Sequence, residues 1–426
     1  MIVGGYNLFM TLAQRLCPLI AAFTGRQKKV HRLAVAQQHV LADIEQTMAT
    51  RVSKVDVCWF HAASLGEYNV IRPIIERLKA TTSCTVVLTF FSPTGVEALT
   101  GEGKSLPSFV DYVFYLPIDT RRNVRRFLDA VRPNKAVFAV SEYWVNYLQA
   151  LYRRQIPAYL VSAKITERSA LLRWYGRLFY REALKAYRTM MVLDEPSKRR
   201  LEQVAVGKVV VMGDPLFDAA ASVAQTPYHD AIVEGFCSGR QVFVAGSIHM
   251  DADLQLVATV ANRHPDMKCL FVPHEVSAAA IAQVKRAVEG RAVAYSECRS
   301  AADAQAAQVL IIDFVGALAR LYRFGTWAYV GGGFTPYLHS LIEATVYGLP
   351  VSFGPCTERV SMASRVMQAG IGCKVSTADE LDSWLTELRN NNEKYETIRQ
   401  QALDFARRNV GATASVVNMI AYENEG

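Results

Sequence analysis

From Val55 onward the chain alternates two patterns. Short runs are apolar at nearly every position, and longer segments between them carry apolar residues at helical spacing. The first set of runs is VDVCWFHA, CTVVLTFF, YVFYLP, KAVFAV, AYLVSA, TMMVL and KVVVMG, between residues 55 and 213. Runs apolar at both odd and even positions are buried on both faces, which predicts parallel strands under helices. The intervening segments Tyr68–Ala80, Pro93–Leu99, Arg121–Val131, Trp144–Arg154 and Leu171–Tyr187 read as helices. A second alternation follows a turn-rich stretch at Gln225–Gly239. Its strands are QVFVAGS, KCLFVP, AVAYS, QVLIID, WAYVGG and PVSFG. Its helices are Asp251–Arg263, Val276–Ala287, Ala317–Tyr322, Leu338–Tyr347 and Ser361–Ala369. This rhythm predicts an α/β protein with two parallel-sheet halves in tandem and a boundary near 205–240. The last helical region, Ala378–Tyr422, either closes the second half or packs back on the first.

The length of 426 residues agrees with two domains. The net charge of +8 favours an anionic partner: a phosphorylated substrate, an acidic lipid surface or a nucleic acid. No nucleic-acid motif is present, and the basic residues do not alternate with an aromatic stacking platform, so a nucleic-acid partner is set aside. The eight cysteines are scattered without a C-x-x-C pair, and several lie inside strand runs. Reduced, buried thiols in a cytosolic setting are expected, not a disulfide framework or zinc site.

The N-terminus, MIVGGYNLFMTLAQRLCPLIAAFT, approaches the ~20 apolar residues that cross a bilayer, though Arg15 and Pro18 interrupt it. The basic cluster Arg26, Lys28, Lys29 and Arg32 follows it, the reverse of a signal peptide, and would stay cytoplasmic. Residues 1–30 are therefore expected to anchor the protein to a membrane, spanning or half-inserted. The alternative is a buried first helix.

Ligands of parallel sheets bind at the carboxyl ends of strands, so residues directly after strands are the candidates for chemistry. In VDVCWFHAASLGEY, Val55–Tyr68, an apolar strand breaks into small residues and then presents Glu67. A carboxylate there is either a general base in a pocket that tunes its pKa or an acid favoured by the helix dipole. In SEYWVN, Ser141, Glu142 and Asn146 follow KAVFAV, as ligand-facing groups or as a helix cap. In SAKITERS, Lys164 and Arg168 are candidate anion-binding cations, or members of a solvated loop. In GSIH, Ser247 and His249 open a helix and form a second candidate anion site. Asp251 and Asp253 just beyond are expected to cap that helix, with no metal assigned. The three glycines of VGGGF would let a nucleotide approach the backbone, and Glu343 in HSLIEA is placed to accept from ribose hydroxyls. Neither G-x-G-x-x-G nor a P-loop occurs.

Taken in order, these segments resemble the 3-deoxy-D-manno-octulosonic acid (Kdo) transferases of lipopolysaccharide assembly. HAASLGE is similar to the family's H-x-x-S-x-G-E, SEYWVN to E-x-E-L-W-P-N, SAKITERS to N-A-R-L-S-x-R-S, and GDPLFD to G-S-L-K-F-D. GSIH resembles the S-T-H loop, VPHE the V-P-R-H loop, VGAL the M-G-E-L turn, and GGGF through GLPVSFGP the donor-binding segment. The resemblance covers nearly the whole chain. It implies a GT-B fold, two Rossmann-like domains facing across a cleft. It implies residues 31–210 as the acceptor domain and 211–426 as the CMP-sugar domain.

The resemblance further implies an inverting, metal-independent transferase with no cofactor. Its donor would be CMP-Kdo and its acceptor a lipid A precursor, met at the cytoplasmic face of the inner membrane. Glu67 would be the general base, with Glu142 near the reaction centre. Pro273, His274, Val315, Gly316, Ala317, Ser340, Leu341, Ile342 and Glu343 would line the CMP site. Four positions depart from the family pattern: Val140, Leu216, Ala317 and Ser340 stand where the motifs have glutamate, lysine or arginine, glutamate and asparagine. These departures keep two alternatives in view, a GT-B transferase of another nucleotide sugar and an inactive membrane-bound scaffold.

Overall fold

The computed structural model of the protein describes residues 2–25, 28–51, 55–358 and 360–422. Among the described residues, fourteen strands form two parallel seven-stranded sheets. The first contains β1 (Val57–Ala62), β2 (Thr85–Phe90), β3 (Tyr112–Tyr115), β4 (Lys135–Ala139), β5 (Ala158–Ala163), β6 (Tyr187–Val192) and β7 (Lys208–Val211). The second contains β8 (Val242–Ile248), β9 (Lys268–Pro273), β10 (Ala292–Ala294), β11 (Val309–Ile311), β12 (Trp327–Val330), β13 (Val351–Phe353) and β14 (Gly372–Lys374). Their orders are β3-β2-β1-β4-β5-β6-β7 and β10-β11-β9-β8-β12-β13-β14. Each reverses direction beside its first strand, β1 or β8. That places the ends of β1 and β4, and of β8 and β12, at switch points where crossover loops diverge.

All thirteen expected strands are present. β14 was not expected, because GCK is three residues at a sheet edge and carries no strand pattern. Helices at Lys29–Ala49, Glu195–Leu201, Pro215–Gln225 and Ala231–Cys237 also went unforeseen. The expected helix at Leu338–Tyr347 contracts to Ile342–Thr345.

The chain divides into two compact units. One runs to Asp218 and resumes at Gly411, and the other is Ala219–Val410. The expected second domain, 211–426, is therefore too long at both ends. The cause lies in the closing helix Ala412–Tyr422. Its Val416, Val417 and Ile420 bury with Tyr68, Ile71, Ile75 and Leu78 of the first unit. Full burial of each such aliphatic side chain is worth ~1.5–3 kcal/mol. The helix is also held at both ends. Asp218 accepts from Gly411 N at 2.7 Å and from Thr413 N at 2.9 Å. Lys135 Nζ donates to the carbonyls of Ile420 at 2.6 Å and Ala421 at 3.0 Å. A carboxylate at the start and an ammonium at the end both complement the helix dipole.

The first helix, Ile2–Phe23, lies within the segment expected to anchor the protein, spanning or half-inserted. Among the described residues no helix is long and apolar enough to cross a membrane. This one docks on the first unit through Tyr6, whose hydroxyl donates to the buried Asp119 at 2.6 Å and whose ring meets Phe179 edge-on at 5.3 Å. Leu8, Phe9, Leu12, Leu16, Leu19 and Phe23 remain exposed along its outer side. Trp174, Tyr175 and Leu178 are exposed on the helix Trp174–Leu184, which carries Phe179. Of the basic cluster after the first helix, Arg26 lies outside the described residues.

Candidate functional site

In the first unit, β1 ends at Ala62, and Ser64 accepts from Glu67 N at 3.4 Å as the N-cap of the helix Leu65–Thr81. Glu67 thus lies in the first turn. Its Oε2 turns back to accept from Ala63 N at 2.5 Å. The carboxyl is half-buried, and its pKa is pushed up to about 7. Burial is the larger cause and the charge of Glu142 the second; the Ala63 N–H, His61 and Ser64 oppose them. Glu67 is therefore both the helix-start acid and a titrating group close to neutrality, where a general base works best.

The Glu142 that raises it is buried at the end of β4, the neighbour of β1. Its carboxylate accepts from Trp144 Nε1 and lies 3.2 Å from His61 Nε2. Tyr187 Oη donates to its main-chain carbonyl at 2.5 Å. His61 is fully buried in β1. Its Nδ1 lies 3.1 Å from the Thr89 carbonyl, an obligate acceptor, which assigns the ring proton to Nδ1. Nε2 then accepts from Trp144 Nε1 at 3.1 Å, and one indole N–H is shared between imidazole and carboxylate. A polar histidine inside an apolar strand was the visible sign of this network. Sequence reasoning passed over it because attention fell on residues after the strand.

The backbone between β4 and Glu142 is strained. Val140 has φ 60°, and Ser141 N donates to Ala139 O at 2.8 Å, closing a γ-turn. A β-branched residue in the left-handed region costs energy that surrounding structure must hold, and such residues gather at functional sites. Here the turn brings the chain round into Glu142. On β5, Ser162 has φ 56° where the strand register shifts, and its buried Oγ finds no hydrogen-bond partner among the described residues.

The other first-unit candidates are less committed. Lys164 is half-buried, and burial pulls its pKa down against the charges of Asp194 and Asp214. Arg168 is exposed on a turn. Within the same loop Glu167 pairs with Arg200 at 2.8 Å.

In the second unit, β9, β8 and β12 are adjacent, and three imidazoles meet at their carboxyl ends. His249 and His274 stack with centroids 4.7 Å apart, and His249 Nε2 lies 3.1 Å from His339 Nε2. Burial, then His274 and His249, pull the pKa of His339 down to about 4. Ser247 has φ 51° at a register shift in β8. Asp253 corrects the capping expectation. It is buried and accepts from His249 N at 3.0 Å, Gly332 N at 2.8 Å and Tyr329 Oη at 2.6 Å, so it ties two strand-end loops together.

The glycine triplet is also used internally. A Cβ on Gly331 would meet Ser247 O at 2.2 Å, and one on Gly333 would meet Gly354 N at 2.5 Å. Among the expected donor residues, Val315 and Ser340 are exposed, and Gly316 has φ 89°, where a Cβ would meet nothing within 4 Å among the described residues. Pro273 closes β9 with its side chain buried. Ala317, Leu341 and Ile342 are buried core side chains, so only their backbone could meet a ligand. Glu343 is half-buried, and burial raises its pKa. No metal was expected from the sequence; the trio of histidines is a cluster with metal-ligand chemistry.

Residues 30–219 match the family model described as 3-Deoxy-D-manno-octulosonic-acid transferase (kdotransferase). The 3-deoxy-D-manno-octulosonic acid transferase of Aquifex aeolicus is 26% identical over 335 residues, covering 78% of this chain and 85% of the relative. That of Haemophilus influenzae is 24% identical over 378 residues, covering 85% and 86%. Among solved structures, UDP-GlcNAc 2-epimerase from Neisseria meningitidis superposes with a TM-score of 0.59 at 15% identity, covering 85% of this chain and 98% of the other. MurG of Acinetobacter baumannii gives 0.54 at 13%, covering 86% and 99%. Those likenesses establish the fold, two Rossmann-like units of the GT-B type. Residues 30–219 thus carry the transferase family's domain, and the chain is similar along most of its length to the 3-deoxy-D-manno-octulosonic acid transferases.

Proposed function

We propose that the protein is an inverting glycosyltransferase that moves Kdo from CMP-Kdo to a hydroxyl of a lipid A precursor. The observation that carries the reading is Glu67: a half-buried carboxyl in the family's motif, with a pKa near neutrality. At neutral pH about half of such groups are ionised and ready to accept a proton. Glu67 takes the proton of the acceptor hydroxyl as that oxygen attacks the anomeric carbon. The bond from that carbon to the phosphate oxygen breaks on the opposite face, and CMP leaves. Glu142, held by Trp144 and Tyr187, keeps the carboxyl basic through its charge. On the donor side, His249, His274, Ser340 and Glu343 present polar groups for phosphate and ribose, with Ser247 two residues before His249 near the end of β8. Lys164 is the half-buried cation of the first unit that could meet an anionic sugar.

The acceptor is a lipid, and the first unit has a face suited to one. The outer side of Ile2–Phe23 is apolar and exposed, as are Trp174, Tyr175 and Leu178. Arg15, Arg177 and Arg181 stand exposed on the same two helices, and Arg173 immediately before the second. An apolar stripe beside cations fits a helix lying on an anionic leaflet, with each near-surface cation worth ~1 kcal/mol. Of the two expected forms of anchor, spanning or half-inserted, this reading takes the surface-lying one, at the cytoplasmic face of the inner membrane.

The deciding experiment is incubation with CMP-Kdo and tetraacylated lipid A precursor, followed by mass analysis. Addition of one or more Kdo masses supports the reading. An unchanged acceptor in single-turnover assay, with CMP bound weakly or not at all, favours the scaffold suggested by Leu216 and Ala317. Product formed only from a different nucleotide sugar would keep the fold and change the donor.

A further inference from the structure

We propose that His249, His274 and His339 form a binding site for one divalent transition-metal ion of the zinc class. The three side chains offer nitrogens that all lie within 4.8 Å of one another. The nearest pair, Nε2 of His249 and Nε2 of His339, is separated by 3.1 Å. Two nitrogens on a single tetrahedral ion, each at ~2.0–2.1 Å, stand ~3.3 Å apart. The pair is already at that spacing. His274 is exposed and stacked beside His249, and its ring nitrogen lies within 4.8 Å of the other two.

The cluster is assembled by the sheet. His249 and His274 directly follow β8 and β9, His339 lies in the segment after β12, and β9, β8 and β12 are neighbours. Each backbone is fixed to the adjacent segment. His249 N donates to Asp253 at 3.0 Å, His274 N to Ile248 O at 2.9 Å, and His339 N to Gly331 O at 3.2 Å. Gly332 has φ 87°, and a Cβ there would fall 3.0 Å from His339 Cδ2, so this glycine makes room for the imidazole. A surface with three incidental histidines would lack these ties.

The donor set selects the ion. Three imidazoles without a carboxylate suit Zn²⁺, Co²⁺, Ni²⁺ or Cu²⁺, and do not suit Mg²⁺ or Ca²⁺, which require oxygen ligands. Three protein ligands leave the fourth tetrahedral position for water or an anionic oxygen. The ion displaces the hydrogen bond between His249 and His339, and both rings then carry their proton on Nδ1. The site shares His249 and His274 with the donor contacts proposed above, but its test reads metal binding alone, with no donor or acceptor present, so either reading can fail without the other.

The test uses the full chain, stripped with a chelator and titrated with Co²⁺ alone at neutral pH. Visible d–d absorption of tetrahedral intensity is expected, saturating at one equivalent and abolished by excess Zn²⁺. His274→Gln and His339→Gln should each weaken Co²⁺ binding by at least about 100-fold, since even residues behind the ligands cost 10–100-fold. The exposed His229→Gln should leave binding unchanged. Absence of the band, or stoichiometric binding that survives both His274→Gln and His339→Gln, overturns the proposal. A second measurement guards against misfolded variants: in the wild-type chain Zn²⁺ should protect His274 from diethyl pyrocarbonate. Equal modification with and without Zn²⁺ also overturns it.

Discussion

Replacing Glu67 with glutamine should stabilise the first unit at high pH while removing its chemistry. The pKa of Glu67 is raised in the folded protein from 4.5 to about 7. A raised carboxyl stabilises the fold fully below its unfolded value and loses that contribution as pH rises through the folded value. At ~1.36 kcal/mol per pKa unit, ionising Glu67 in place costs about 3 kcal/mol by about pH 8. The glutamine side chain of the variant carries no charge, yet its amide oxygen can still accept from Ala63 N, so the main structural tie is kept. The stability difference between Glu67→Gln and wild type should therefore be near zero at about pH 4.5. It should then grow between pH 4.5 and 7 and level off near 3 kcal/mol. Urea unfolding at a series of pH values, read by hydrogen exchange of β1 and β4 amides, reports on this unit alone. Kdo transfer should fall ~10²–10⁴-fold over the same range. A stability difference that does not change with pH, or a wild type that is the more stable at high pH, would refute the electrostatic argument. Undiminished transfer would refute the assignment of the base.

Three further outcomes follow from the same structure. Glu142→Gln removes the second cause of the Glu67 shift, so the acid limb of the pH–rate profile should move to lower pH, with Trp144 still bonded. An unmoved limb would mean that Glu142 does not act through charge. Asp218→Ala strips the three hydrogen bonds that start the closing helix and should cost about 1–2 kcal/mol, seen as faster proteolysis near Gly411. Gly333→Ala sets a Cβ 2.5 Å from the backbone nitrogen of Gly354, which cannot rotate away, and should destabilise the second unit by ~1–3 kcal/mol in thermal unfolding.

The strands were legible because parallel strands bury both faces, and WFHA or TVVLTF has no amphipathic reading as a surface helix. β14 was not, since three residues at an edge owe their strand geometry to pairing with β13. The two carboxylates were found by looking just past strand ends. His61 was missed because it sits one position before the end of β1, inside the core. The histidine cluster was half-seen. His249 and His274 were singled out separately, but the sheet order β9-β8-β12 joins them to His339, and strand order is written in no local pattern. The closing helix was undecidable from its apolar residues alone, because either unit could bury them. Asp218 and Lys135, remote in sequence, decide it through its two ends.

The bond from Asp218 to Gly411 has a consequence for how the gene could be cut. The chain leaves the first unit at one end of a 2.7 Å hydrogen bond and comes back at the other. Residues 219–410 are thus spliced into a host whose own ends are already adjacent. A few glycines joining 218 to 411 should close the host without strain, because loop-closure entropy rises only slowly with length and here the gap is one contact wide. The excised guest begins and ends at one point on the host, so each half is open to separate expression and to exchange between relatives as a cassette.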